Sequence, residues 1–287
     1  MKKHLSTILI IVMFIVGLSV LLYPAISNYI NSKHASRAIN DYSEKTDKTD
    51  SESIAKLFEK AEAYNKKLSE EPSAFFSPDK VGNYDSTLDI TDTGIMGYID
   101  IDRIGVELPI YHSVEEDVLQ MGAGHLEGTS LPIGGRSTHC VLSGHRGLPS
   151  AKLFTDLDDL EIGDEFYITV LNRKLTYRID QIKTVLPNET DDLQIVSGKD
   201  YCTLMTCTPY GINTHRLILR GVRVNNTEEK PGVFVSNEAF RIDPFIVTPI
   251  VAVPMLVVTL IIVLIRDRRE KKRRNAVKKE EIGSEKT

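Results

Sequence analysis

The apolar residues of this chain fall into two long blocks, one towards each end, with a series of short runs between them. Residues 5–23 are apolar almost throughout. At a rise of about 1.5 Å per residue they are long enough to cross a hydrocarbon core of about 30 Å. Lys2 and Lys3 precede the block, which also suits a cleaved signal peptide. The run is longer than a signal core, and Tyr23-Pro24-Ala25-Ile26-Ser27-Asn28 is a poor cleavage site, so a retained anchor over 1–30 is the better reading. The second block, 245–265, is uncharged and runs into a basic tail over 266–287 that begins Arg266-Asp-Arg-Arg-Glu-Lys-Lys-Arg-Arg274. The positive-inside rule then predicts two transmembrane helices, both termini cytoplasmic, and everything between them outside the cell membrane. Pro249 and Pro254 are tolerated in such a helix.

Between the blocks the period changes twice. Residues 31–50 are polar and read as a linker or the start of a helix. Ile54, Leu57, Phe58, Ala61 and Leu68 then recur at close to helical spacing, which predicts a helix over 53–68. Pro72, Pro78 and Gly82 end that pattern, yet 72–88 carries Phe75, Phe76 and Tyr84, more aromatics than a free loop needs. From 94 to 224 short apolar runs alternate with turn residues, and strands are expected at 97–101, 106–110, 138–143, 165–170, 174–185, 201–206 and 216–224. Two short helices are expected at 114–120 and 151–157. The fold class is therefore mainly β, a closed barrel or sandwich over 94–224, preceded by a linker and helix over 31–93 and followed by a polar tether over 225–244.

Charge and cysteine content narrow the chemistry. The formal net charge is −5, which gives no basic field for nucleic acid, and the basic tail is explained by the membrane. Three cysteines, Cys140, Cys202 and Cys207, are too few for a disulfide scaffold, and none forms the paired spacing of a zinc site. A Cys-rich metal site is therefore not expected. The odd count leaves at least one thiol free.

Three stretches at strand edges carry candidate chemistry: Val141-Leu-Ser-Gly-His145-Arg-Gly-Leu-Pro149, Tyr201-Cys-Thr-Leu-Met-Thr-Cys207-Thr-Pro-Tyr-Gly211 and Asn213-Thr-His-Arg216-Leu-Ile-Leu-Arg-Gly221. Cys207 ends an apolar strand and begins a turn, where a fixed backbone meets open solvent. A thiolate nucleophile needs a proton carrier, and His145 titrates in the right range. A nearby cation lowers a thiol pKa and holds an oxyanion, work that suits Arg216. Each also has a plainer reading: a buried small hydrophobe, a turn histidine, a strand arginine in an ion pair. His125, His139 and His215 compete for the base role. His215 adjoins Arg216 on one strand, so the two face opposite ways. His139 lies mid-strand, and His125 sits in a Gly-rich loop. Arg220 lies on the Arg216 face, roughly 13 Å further along. Cys140 and Cys202 each lie five residues before His145 and Cys207, so parallel neighbouring strands bring them level as structural thiols facing away from the catalytic side.

These stretches resemble the sortases of Gram-positive bacteria, and among them the pilus-assembling class C. Gly94-Ile-Met-Gly-Tyr-Ile99, Leu108-Pro-Ile-Tyr-His112 and Gly124-His-Leu-Glu-Gly128 belong to the same likeness, which spans roughly 94–224. The resemblance implies an eight-stranded sortase β-barrel that needs no metal and no other cofactor. It implies that Cys207 attacks the Thr–Gly carbonyl of an LPxTG-like sorting signal, that His145 is general acid and base, and that Arg216 binds substrate and stabilises the oxyanion. The partners it implies are pilin subunits bearing sorting signals, one of which supplies a Lys amine, with a housekeeping sortase or peptidoglycan precursor downstream.

Class C members usually carry a lid with an Asp-Pro-aromatic motif. Residues 72–88 hold Ser77-Pro78-Asp79 instead. Phe75, Phe76 or Tyr84 is then the candidate plug, with Phe76, Pro78 and Asp79 as the lid residues and Asp79 as a partner for Arg216. Two other functions compete: a housekeeping sortase that anchors proteins to peptidoglycan, and a non-catalytic membrane-anchored scaffold indifferent to Cys207→Ala.

Overall fold

A computed structural model describes residues 5–224, 252–266 and 268–269. The chain divides into two units, the two ends forming one and residues 28–235 the other.

The larger unit is built on eight strands: β1 (Ile95–Ile101), β2 (Val106–His112), β3 (Ala123–His125), β4 (Thr138–Ser143), β5 (Glu165–Val170), β6 (Arg173–Val185), β7 (Asp200–Thr208) and β8 (His215–Val224). They close into a barrel in the order β1-β2-β3-β4-β7-β8-β6-β5. All seven expected strands are present. β3 is the addition, too short at three residues to show an alternation.

The pleat sorts side chains between two faces. Cys140, Leu142, Cys202, Leu204, Leu217 and Leu219 point into the main core. Val141 and Ile218, of opposite parity, belong with Leu193 to a second, smaller apolar cluster on the other face.

α1 (Leu5–Lys48) is one continuous helix. The 31–50 stretch is thus helix to Lys48, because Ala35, Ile39, Tyr42 and Thr46 form a thin buried stripe among polar residues. The Tyr42 hydroxyl donates to Met96 O at 2.8 Å and accepts from the Leu171 N–H at 2.8 Å. α2 (Ser51–Glu70) is N-capped by Asp50, whose side chain accepts from the Ser53 N–H at 2.9 Å. It buries Ile54, Phe58, Ala61, Tyr64 and Leu68. α3 (Glu116–Met121) falls within one residue or two of its expected place. The helix expected at 151–157 does not form. Leu153 has φ 43°, outside the helical region, and the Phe154 N–H bonds His145 O at 3.0 Å instead of a carbonyl four residues back. Turns there end in a 3-10 turn, Leu157–Asp159.

Among the described residues one helix, near the N-terminus, is long and apolar enough to cross a membrane. The second apolar helix, α4 (Ala252–Arg266), is shorter. Residues 245–251 of the expected span, the tether after Val224 and most of the basic tail lie outside the described residues.

Candidate active site

Cys207 is the penultimate residue of β7 and is half-buried. Its register partner on antiparallel β8 is Arg216, so the two side chains leave the same face about 4.5–5.5 Å apart at Cβ. β4 runs parallel to β7, with Ser143 level with Met205. The pairing continues past the strand end: the Gly144 N–H bonds Met205 O at 3.1 Å, and the Thr206 hydroxyl donates to Gly144 O at 2.8 Å. His145, two residues beyond Ser143, thus lies past the end of β4, at the end of β7 that carries Cys207. Gly144 is required there, since a Cβ would lie 2.6 Å from the Phe154 ring.

The His145 ring has Nε2 at 3.2 Å from both carboxylate oxygens of Glu116 in the first turn of α3. A carboxylate only accepts, so Nε2 carries the hydrogen in that pair. A hydrogen bond from Gln120, then the charge of His145, holds the Glu116 carboxyl below the usual range. The sequence did not single out Glu116, which lies in the acidic run Glu115-Glu116-Asp117, where nothing marks the middle residue.

The Arg216 guanidinium donates to backbone carbonyls, Asn213 O at 3.4 Å and His215 O at 3.1 Å. Among the described residues it forms no ion pair, which leaves its charge for an incoming oxyanion. Arg146, next to His145, is mostly buried and pairs with Asp158. It reaches Thr208 Oγ1 at 3.5 Å and lies 5.9 Å from the Tyr210 ring centre. One side chain thus ties the loop of His145 to the turn that follows Cys207.

The outer face of β4, β7 and β8 continues from these residues as a groove whose floor is buried. Val141, Ile218 and Leu193 form its apolar floor, with Phe75, Leu126, Val185 and Met205 packed against them. Phe75 belongs to the 72–88 segment, so one of its aromatics rests on the groove. Phe76 does not: it is 73% exposed, its ring edge-on to Phe75 at 5.0 Å. Pro78 and Asp79 lie in a 3-10 turn, Pro78–Lys80, and no ion pair joins Asp79 to Arg216 among the described residues. Asp79 instead adds to the negative field that, after burial and Asp85, raises the Glu127 pKa. Tyr84 anchors the segment: its hydroxyl lies 2.9 Å from His125 Nδ1 and accepts from the Ser113 N–H at 3.0 Å.

The competing groups are placed elsewhere. His125 is fully buried on β3, and His139 is buried on β4. His215 is level with Thr208, on the face opposite Arg216. Arg220 makes a two-pronged pair with Asp180 at 2.9 Å and lies over Tyr201. Cys140 and Cys202 are register partners inside the barrel, both free thiols, and burial pushes the Cys202 thiol well up. Among the described residues no cluster of ligands suits a metal ion.

A thiol, an imidazole and a guanidinium at one end of a barrel are the kinds of group that a cysteine-based acyl transfer uses. The family model described as Sortase domain matches residues 99–224. Sortase C1 from Streptococcus agalactiae is 50% identical over 67% of this chain and 100% of its own, with TM-score 0.62. Sortase C of Streptococcus pneumoniae is 43% identical over 66% of this chain and 97% of its own, with TM-score 0.61. Sortase D of Bacillus subtilis is 31% identical over 131 residues, 45% of this chain. The chain belongs to the sortase family, and its likeness within it is to the class C members. It spans 63%, 47% and 63% of the length of three curated sortases it matches.

Proposed function

We propose that the chain is a membrane-anchored class C transpeptidase that builds covalent pili. The Cys207 thiolate adds to the Thr carbonyl of an LPxTG-like signal, and Arg216 holds the oxyanion. The C–N bond to Gly breaks as His145 gives its proton to the leaving amine, leaving a thioester. The Lys amine of a pilin subunit then attacks, His145 takes the amine's proton, and the sulfur departs as thiolate from a new isopeptide bond. The observation that supports this reading is the register that sets Cys207 opposite Arg216 at the end of β7, where the backbone beyond β4 leads on to His145. The pneumococcal relative has been described in terms of pilin substrate specificity, which supports a pilin as partner here.

In this reading 72–88 is a lid. Phe75 covers the groove floor, while Phe76, Pro78 and Asp79 form the outer turn that moves with it. The blocks at 5–23 and 245–265 both span the cell membrane, with the barrel outside and both termini cytoplasmic.

The test incubates the full chain in detergent micelles with an LPxTG peptide, with and without a candidate pilin, and reads masses. The expected product is a peptide thioester on Cys207 that passes to a pilin Lys, absent in Cys207→Ala. Transfer that persists in Cys207→Ala overturns the reading, and preference for a peptidoglycan amine over the pilin Lys would move it to wall anchoring.

A further inference from the structure

The groove does not stop at the apolar cluster. Three levels of side chains line it: Cys207 with Arg216, then Met205 with Ile218 and Ser143, then Thr203 with Arg220 and Val141. Successive levels are two residues, about 6.6 Å, apart. An extended peptide advances at the same rate, so the four residues before a scissile bond at Cys207 cover about 13 Å and reach the level of Val141. Beyond that level lies a cleft of ≈280 Å³. It is lined by Leu68 and Ser69 at the end of α2 with Gly128 and Thr129, and by Leu193, Gln194, Ile195 and Ser197. Phe75 and Leu193 belong both to this cleft and to the apolar floor of the groove, so the two are continuous.

We infer that this cleft binds the extended stretch of a donor protein that directly precedes its sorting motif. The inference rests on the thioester reading of Cys207, which fixes the direction of the bound chain. The lining selects the chemistry. Leu68, Phe75, Leu193 and Ile195 offer apolar surface, Gln194 and Ser197 offer neutral polar groups, and no charged side chain lines the cleft among the described residues. A charged donor residue placed there gives up water without gaining a counter-ion, so uncharged small or aliphatic residues are favoured. The volume, near the lower end of ligand sites at about 300 Å³, suits a few side chains of a strand rather than a separate small molecule.

Two fluorogenic peptides test this on the full chain in detergent micelles. Both carry the same sorting motif; one begins at its Leu, the other adds three uncharged residues before it. The wild type should prefer the long peptide by about tenfold in kcat/KM, mainly through KM. Ser197→Trp, at an exposed position, and Ser69→Trp, at the end of α2, should each bring that ratio towards one. Replacing the added residues by Asp should do the same in the wild type. Equal use of both peptides by the wild type, or an unchanged preference in the two variants, overturns the inference while leaving the thioester reading intact. Cleavage of neither peptide overturns both.

Discussion

His139 holds the far wall of the groove only while it is neutral. It lies 1% exposed on β4, its Nδ1 2.9 Å from Gln194 O and its Nε2 2.7 Å from Thr203 Oγ1. A carbonyl only accepts, so Nδ1 carries the hydrogen and bare Nε2 accepts from the Thr203 hydroxyl. Burial lowers the pKa from 6.5 to about 4, with the bond to Gln194 O opposing, Arg220 assisting, and Asp180 and Asp192 opposing. The folded value is below the unfolded one, so this contribution to stability is present above pH 6.5 and lost as pH falls towards 4. The gap amounts to about 3 kcal/mol at about 1.36 kcal/mol per pH unit. About 2 kcal/mol of it is lost by about pH 5. Urea unfolding of the full chain in micelles, at about pH 7.5 and about pH 5, measures the loss. His139→Gln keeps an N–H for Gln194 O but does not titrate, so its stability should fall about 2 kcal/mol less than that of the wild type. Parallel losses in the two proteins would refute the reasoning, because the proton uptake would then lie elsewhere.

Glu116→Gln removes the carboxylate that accepts from His145 Nε2, so peptide cleavage should fall about two- to fivefold in kcat with KM held. An unchanged kcat removes Glu116 from the orientation of His145. Phe75→Ala takes a half-buried ring off the groove floor, and alkylation of Cys207 by iodoacetamide should speed up about tenfold as the lid opens. An unchanged rate counts against a lid over 72–88. Asp100 faces Glu107 across β1 and β2, and burial, then Glu107, pushes its pKa up to about 6. The raised value destabilises the fold as pH rises through about 6, so Asp100→Asn should add about 1 kcal/mol at pH 7.5, after discounting for solvent, and nothing below pH 3.8. A gain that persists in acid would contradict that assignment.

The sequence made the barrel legible where alternation is regular. β4 and β5 fall at the bounds their pattern implies, and β6 to β8 within two residues at each end. The five-residue spacing that brings Cys140 level with Cys202 was readable because parallel strands keep one register along their length. The 31–48 part of α1 was not, since its buried stripe is one residue per turn and charged neighbours dilute the period. The stretch 151–157 has the apolar content of a helix, but its residues answer to His145 O and to the space beneath Gly144 rather than to one another. Glu116 was hidden for a related reason, and Phe75 was legible only as one of three candidate aromatics. Each acts on a strand distant in sequence, and one chain without that strand does not say which of several acidic or aromatic residues will face it.

The catalytic face is set by the core behind it. Cys207 and Arg216 share a face because their alternate neighbours, Leu204, Cys202, Leu217 and Leu219, are buried in the barrel at 0–7% exposure. A slip of one residue in β7 would bring Thr206 or Thr208 opposite Arg216 and turn Met205 and Cys207 into the core. The same slip would send Leu204 and Cys202 to the groove, at about 1.5–3 kcal/mol for each large apolar side chain exposed. Gly144 and the Thr206 hydroxyl carry that register one step past the end of β4, where no ladder remains to hold it. The thiol of Cys207 and the guanidinium of Arg216 are therefore aligned by leucines on the opposite face, and a core substitution that loosens β7 should weaken peptide cleavage before it unfolds the barrel.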